Sequence, residues 1–299
     1  MLYKRFTINS SGGYFTDDRN ITPRRSGSNS IHIQLFFATL ITTTAVGAIM
    51  SSANPFSLFG FIRGFPFSIS ILTILGIHEF AHYFAAKLWG IRVTLPYFIP
   101  APFPPIGTFG AVIKMKSSIP NRKALIDVGA SGPLAGFIAA VIASVIGLRL
   151  SQVVPEGSAF LILGEPLIFK FLGHLVIGAV PPNHDIMLHP IAFAGWIGLF
   201  VTALNLIPIG QLDGGHILFA ISPRIHELIR RIRIPILILL GLSFWNGWYV
   251  WAVLSLLFGR VHPYPDIMDS SIGPLRQIMA ILSVIVFILC VIPTPVKVL

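Results

Sequence analysis

Long apolar stretches alternate with short polar ones along most of the chain. Six of them, at 32–52, 69–89, 124–148, 191–221, 234–258 and 275–293, are long enough to cross the ~30 Å hydrocarbon layer of a bilayer as helix. Two segments break this rhythm early. Residues 54–68 place Pro55, Gly60, Gly64 and Pro66 among phenylalanines, which predicts a short re-entrant or interfacial hairpin. In 91–123, Pro96, Pro100, Pro102, Pro104 and Pro105 preclude a regular helix. Behind these prolines, 109–117 alternates with Phe109, Ala111, Ile113 and Met115 on one side, a strand pattern.

Later stretches carry their own interruptions. In 124–148, Gly132 and Gly136 form a small-residue face suited to close helix contact, and Pro133 permits a kink or a helix start. Asp127 is either an end-of-helix cap or a buried polar partner. The loop 149–190 contains two apolar pieces, 159–172 and 175–180, both short for a span. The stretch 191–221 is broken by Asn205, Pro208, Gly210, Gln211, Asp213, Gly214 and Gly215. Broken helix at membrane depth is tolerated only where protein buries it or where it lines a cavity.

Composition agrees with this pattern. The chain has 299 residues, 54% hydrophobic and 11% charged, with a mean hydropathy of +0.81. Soluble domains carry about 25% charged residues. The expected fold is an all-α polytopic membrane protein of about six transmembrane helices, with a small membrane-associated β hairpin or loop. Residues 1–31 read as a disordered cytosolic tail, and 32–298 as a single membrane-embedded domain with its core at 69–220. The net charge of +10 does not indicate nucleic acid, because Lys and Arg fall in short loops between spans. There they set orientation: 1–31, 90–123 and 222–233 are basic, whereas 53–68, 149–190 and 259–274 are not. This predicts an integral multi-pass protein with a cytosolic N-terminus and both ends on one side. A bacterial cytoplasmic membrane is the first expectation and a plastid membrane the second. Cys290 is the single cysteine, so neither an intramolecular disulfide nor a cysteine metal site is possible.

One apolar run holds the chemistry. Residues 74–86 read Ile-Leu-Gly-Ile-His-Glu-Phe-Ala-His-Tyr-Phe-Ala-Ala and place His78, Glu79 and His82 where lipid is expected. An ionisable group at such depth costs about 2.5–3.5 kcal/mol on insertion scales and marks a functional candidate. His78 and His82 share a helix face, so both imidazoles can reach one metal ion, while Glu79 projects beside it. That is the zinc-protease pattern, with the glutamate as general base. Two core histidines satisfied by backbone carbonyls are the competing reading. A catalytic zinc site usually has three protein ligands. Asp213 is the candidate third, since it lies in an apolar stretch that the orientation brings to the same leaflet. Gly214 and Gly215 let backbones approach there, and Asn205 offers an amide to a substrate carbonyl. His216 reads as a structural or interface histidine more readily than as part of the site.

His78-Glu-Phe-Ala-His82, followed by Asn205-Leu-Ile-Pro-Ile-Gly-Gln-Leu-Asp213-Gly214-Gly215, resembles the site-2 protease family of intramembrane zinc metalloproteases. Both motifs are present at every position, and the resemblance covers roughly 69–220, in the compact branch without PDZ or CBS domains. It implies one zinc per chain held by His78, His82 and Asp213. It implies Glu79 as the base that activates water, and Asn205 as a holder of the substrate peptide or its oxyanion. The implied partners are the lipid bilayer and a transmembrane protein substrate. Phe109, Gly110, Ala111 and Val112 either offer a strand edge to an extended substrate or belong to a hairpin that plugs the bundle. A zinc-binding membrane transporter and a non-catalytic relative are the alternative functions.

Overall fold

The computed structural model describes residues 30–156, 161–258 and 271–298, with the short segments 7–8 and 14–15. Thr7–Ile8 (β1) pairs antiparallel with Tyr14–Phe15 (β2). The remainder of the expected N-terminal tail, up to residue 29, lies outside the described residues. The membrane part opens with two antiparallel helices, Ser30–Met50 (α1) and Leu58–Leu88 (α2).

The start of α2 corrects the sequence expectation. Ser57 caps it, its Oγ accepting the Gly60 N–H at 3.0 Å. The predicted hairpin at 54–68 is therefore mostly the beginning of a 31-residue helix, about 46 Å long at 1.5 Å per residue. Its glycines serve close approach rather than a turn. A Cβ on Gly64 would overlap the Thr44 carbonyl of α1, and one on Gly60 would overlap the Asn54 carbonyl. Pro66 sits inside the helix without ending it.

Tyr97–Pro100 (β3) and Thr108–Val112 (β4) form an antiparallel hairpin in the register Tyr97↔Val112 and Phe98↔Ala111, continued by a Val93↔Met115 bridge. The strand is shorter than the pattern over 109–117 predicts, and Phe109 and Ala111 do not share an environment. Phe109 is 72% exposed whereas Ala111 is buried. Between them Gly110 adopts φ +98°, which a residue with a side chain rarely takes and which breaks the alternation. The hairpin tip is tied to α1, where the Thr42 hydroxyl donates to the Gly107 carbonyl at 2.7 Å.

Arg122–Arg149 (α3) continues through Pro133 without ending there. Its cap is Asn121, whose side chain accepts the Ala124 N–H at 2.9 Å. Asp127 is thereby free of the capping role and serves as a polar partner. The following loop contains Gln152–Pro155 (β5), Leu161–Leu163 (β6), Leu167–Val176 (α4) and His184–Met187 (β7), with β5 and β7 paired antiparallel.

Pro190–Leu206 (α5) and Asp213–Ile221 (α6) flank an irregular segment at 207–212, so the fourth apolar stretch is broken as its composition predicts. The stretch 234–258, expected to be one span, is instead a helical hairpin of Pro223–Ser243 (α7) and Gly247–Phe258 (α8). Tyr249 packs against Gly241, and Arg233 Nε donates to Ser255 Oγ at 2.8 Å, so α8 returns along α7. Gly273–Cys290 (α9) and Val296–Val298 (β8) complete the chain.

The extra turn changes where the chain ends. The start of α1 lies at the β3–β4 end of the bundle, with His32 Nδ1 donating to the Pro96 carbonyl at 3.1 Å. β8 pairs antiparallel with β6, in the loop at the other end. Among the described residues, the start of α1 and β8 thus lie at opposite ends of the bundle, where the sequence expectation put both ends of the chain on one side.

α1, α2, α3 and α9 are long and apolar enough to cross a membrane, and α5 is a shorter apolar helix. Large apolar side chains face outward along them, such as Ile138, Ile142 and Ile146 on α3. Small and polar residues, including Ala130, Ala140, Ser144, Thr39 and Thr43, are buried between the helices beside larger apolar ones such as Phe67 and Ile71. An apolar outer face with small residues at helix contacts is the arrangement of helices packed in lipid. The chain is a mostly α-helical membrane protein.

Candidate metal centre

His78 and His82 lie one turn apart on α2, 5% and 6% exposed, facing α3. What they meet there is bare backbone. A Cβ on Gly136 would lie 2.9 Å from His78 Nδ1, and one on Gly132 would occupy the His82 ring. The small-residue face read from the sequence is therefore the wall against which both imidazoles rest.

The two rings are oriented differently. His82 Nδ1 donates to the Val128 carbonyl of α3 at 2.7 Å. The same carbonyl accepts the Ser131 hydroxyl at 2.9 Å. With its proton on Nδ1, His82 turns the lone pair of Nε2 the other way. His78 Nε2 lies 3.1 Å from that atom.

α6 supplies the third group. Asp213 Oδ2 is 3.4 Å from His78 Nε2 and 3.3 Å from His82 Nε2. Its position depends on the break after α5. A Cβ on Gly214 would overlap the Leu206 carbonyl, so glycine is what allows α6 to start against the end of α5. α3 supports this helix too, since a Cβ on Gly129 would lie 3.3 Å from the Asp213 carbonyl oxygen.

The three atoms form a nearly equilateral triangle. Donors bound tetrahedrally to one zinc at 2.0–2.1 Å stand about 3.3 Å apart, so the observed edges of 3.1, 3.3 and 3.4 Å fit. Among the described residues, no other group of three metal-ligating side chains converges in this way. The reading of two core histidines satisfied by carbonyls accounts for His82 Nδ1. It leaves both Nε2 atoms converging on a carboxylate, which a divalent cation satisfies.

Glu79 stands outside the triangle. It is 8% exposed and shares the cavity lining with Ile113, just past β4. Asn205, near the end of α5, brings Nδ2 to 3.3 Å from His78 Nε2. These groups line a cavity of about 220 Å³ together with Ala111, Val112, Ile113, Gln211 and His216.

The sequence-derived residues therefore divide. His78, Glu79, His82, Asn205 and Asp213 meet at one cavity, and Ala111 and Val112 reach it. Phe109 and Gly110 are not part of its lining; Phe109 points outward, its ring 6.3 Å from that of Phe103. Ile113, Val128 and Gln211 were not named as site residues from the sequence. Ile113 belongs to the alternating set that includes Ala111, a signal that was available. Val128 acts through a backbone carbonyl, which every residue possesses. β4 pairs only with β3 among the described residues, leaving its other edge without a strand.

Comparison with known proteins follows the same elements. The model of Peptidase family M50 matches residues 66–244, from within α2 to just past α7. The chain is 34% identical over 196 residues to "Probable zinc metalloprotease EGY2, chloroplastic" of Oryza sativa subsp. indica, covering 62% of this chain and 34% of that protein. It is 34% identical over 205 residues to the protein of the same name from Arabidopsis thaliana, covering 66% and 36%. Against "Probable zinc metalloprotease EGY1, chloroplastic" of Oryza sativa subsp. japonica, identity is 32% over 240 residues, covering 76% and 40%. The matched region thus spans between 34% and 40% of the length of these relatives.

Proposed function

The chain belongs to peptidase family M50, and on that premise we propose that it is an intramembrane zinc metalloprotease. It hydrolyses a peptide bond within or near a transmembrane segment of another membrane protein. The observation that carries this reading is the triangle of His78, His82 and Asp213, with Glu79 beside it in a cavity inside a lipid-facing bundle.

In this reading His78 and His82, through Nε2, and Asp213, through its carboxylate, hold one zinc ion per chain. Zinc, when bound, supplies Lewis acidity that polarises the scissile carbonyl and makes water acidic enough to ionise near neutral pH. Glu79 accepts the proton of the attacking water and delivers it to the leaving amide nitrogen. Asn205 directs an amide N–H toward the carbonyl oxygen as negative charge develops there. An extended substrate segment lies along the second edge of β4, beside Ala111 and Val112, so a substrate helix must unwind locally before it is cut. Helix-breaking residues in the substrate favour cleavage for that reason.

Arg92, Lys114, Lys116, Arg122 and Lys123 surround the hairpin end of the bundle, which we place on the cytosolic or stromal side together with the N-terminus. The names of the relatives include the word chloroplastic. We accordingly favour a plastid membrane over the bacterial cytoplasmic membrane that the sequence put first. Residues 32–298 act as one membrane-embedded unit behind the polar tail.

The test is proteoliposomes carrying the chain, a labelled single-span test peptide and a zinc-sensitive dye in the lumen. The expected result is a cleaved fragment that disappears with chelator and returns with zinc, without dye response. Zinc entry without any fragment would reassign the chain as a transporter.

A further inference from the structure

We infer that Arg276, on α9, is a positioning residue for the metal ligand His82: acting through Asp127, it fixes the axial register of α3 against α2. The inference rests on the metal reading of the site. It concerns a helix that lies beyond the family match at 66–244.

Asp127 Oδ2 accepts two hydrogen bonds. One comes from Trp89 Nε1 at 3.0 Å and one from Arg276 Nη2 at 2.8 Å. The Arg276 guanidinium also stands over the Trp89 ring, 5.6 Å from its centroid. The Asp127 and Arg276 side chains are 21% and 23% exposed, which shelters the pair from much of the screening that weakens surface ion pairs. Trp89 is itself held at the C-terminal cap of α2, where its backbone N–H donates to the Ala86 carbonyl at 3.2 Å.

α2 and α3 are therefore cross-linked twice from adjacent residues of α3. The Val128 carbonyl holds His82, and the Asp127 carboxylate holds Trp89. Helix carbonyls point toward the C-terminus and side chains lean toward the N-terminus. Neighbouring residues on α3 thus reach points two turns apart on α2, about 10 Å along the axis. Two bonds at that separation resist sliding in a way that one does not.

Sliding is what the site cannot absorb. Gly132 lies where a Cβ would enter the His82 ring, and its neighbours are Ser131 and Pro133. A one-residue screw shift of α3 would put Ser131 or Pro133 in the place of Gly132 beside the imidazole and move the Val128 carbonyl off Nδ1. Arg276 makes the lower cross-link durable. It neutralises a half-buried carboxylate that the indole N–H alone would hold against the pull of water.

The experiment uses the full chain in lipid nanodiscs loaded with cobalt(II) alone, and reads the visible ligand-field spectrum and the rate of cobalt release to excess chelator. Arg276→Ala and Trp89→Phe should each release cobalt about 10-fold faster, at the low end of the 10–100-fold effect of groups that orient metal ligands, with a shifted spectrum. Arg276→Lys, which keeps charge and a donor, should recover most of the loss. Arg224→Ala, an exposed position on α7, should match the unaltered chain. Unchanged spectrum and release rate in Arg276→Ala and Trp89→Phe would overturn the inference. If Arg276→Ala does not fold, Trp89→Phe decides alone, because it removes only the indole donor. Failure of the unaltered chain to bind cobalt would instead overturn the metal reading, and this inference with it.

Discussion

His82 donates its Nδ1 proton to the carbonyl of Val128 at 2.7 Å, and by doing so turns Nε2 toward Asp213, 3.3 Å away. The backbone of α3 thus selects the tautomer and the rotation of a side chain on α2. This works only because Gly132 and Gly136 leave that face of α3 open.

Adding one methyl group at Gly132 should therefore damage the site directly. Gly132→Ala puts a Cβ into the His82 ring and should destabilise the fold by about 1–3 kcal/mol as an overpacked interior position, with loss of bound metal. Gly136→Ala, whose nearest contact is 2.9 Å from His78 Nδ1, should be milder. Gly173→Ala on α4 meets nothing within 4 Å and should change neither property. Thermal unfolding and metal analysis of the three purified variants check the order.

Removing the third corner of the triangle should release the ion. Asp213→Ala should bind zinc more than about 100-fold more weakly, beyond the usual effect of groups that merely orient ligands. Competition with a chromophoric chelator measures it. Wild-type affinity in that variant would remove Asp213 from the ligand set.

Asn205 should affect turnover without affecting metal. Its amide stands 3.3 Å from His78 Nε2, at the cavity rather than within the triangle. Asn205→Ala should lower kcat about 10²–10³-fold, as loss of a donor to a developing oxyanion does. Its zinc content should equal that of the wild type by elemental analysis.

The strand beside the site offers a contrast within one hairpin. Ile113→Pro alters the backbone that lines the cavity beside Glu79, and should lower kcat about 10-fold, equivalent to ~1.4 kcal/mol. Phe109→Ala alters a ring outside the cavity and should leave cleavage of the same peptide within about 2-fold, as surface changes away from a site do. Steady-state cleavage assays on both variants separate the two positions.

The metal-site residues were readable because their signal is local and periodic. His78 and His82 share a helix face whatever surrounds them, and an aspartate in a glycine-broken apolar stretch has few structural reasons to be there. What stayed hidden depended on partners far away in sequence. Gly64 looked like a turn residue, because nothing local shows that the Thr44 carbonyl of α1 fills the space beside it. The turn between α7 and α8 had a cue in Asn246-Gly247, but the apolar residues on both sides merged it into one long stretch. The position of the C-terminus followed from that turn and from the pairing of β6 with β8, which join segments more than a hundred residues apart. Asp127 illustrates the same limit. Its side chain was ambiguous until Trp89 and Arg276 were seen to share it.

The central claim separates metal binding from chemistry, assigning the first to His78, His82 and Asp213 and the second to Glu79. The most direct measurement is Glu79→Gln, reconstituted with zinc and a transmembrane test peptide, with bound zinc and cleaved peptide quantified in the same sample. The account predicts unchanged zinc stoichiometry and a cleavage rate lowered at least 10²-fold, the scale of a lost general base. Cleavage at the wild-type rate by zinc-loaded Glu79→Gln would contradict it.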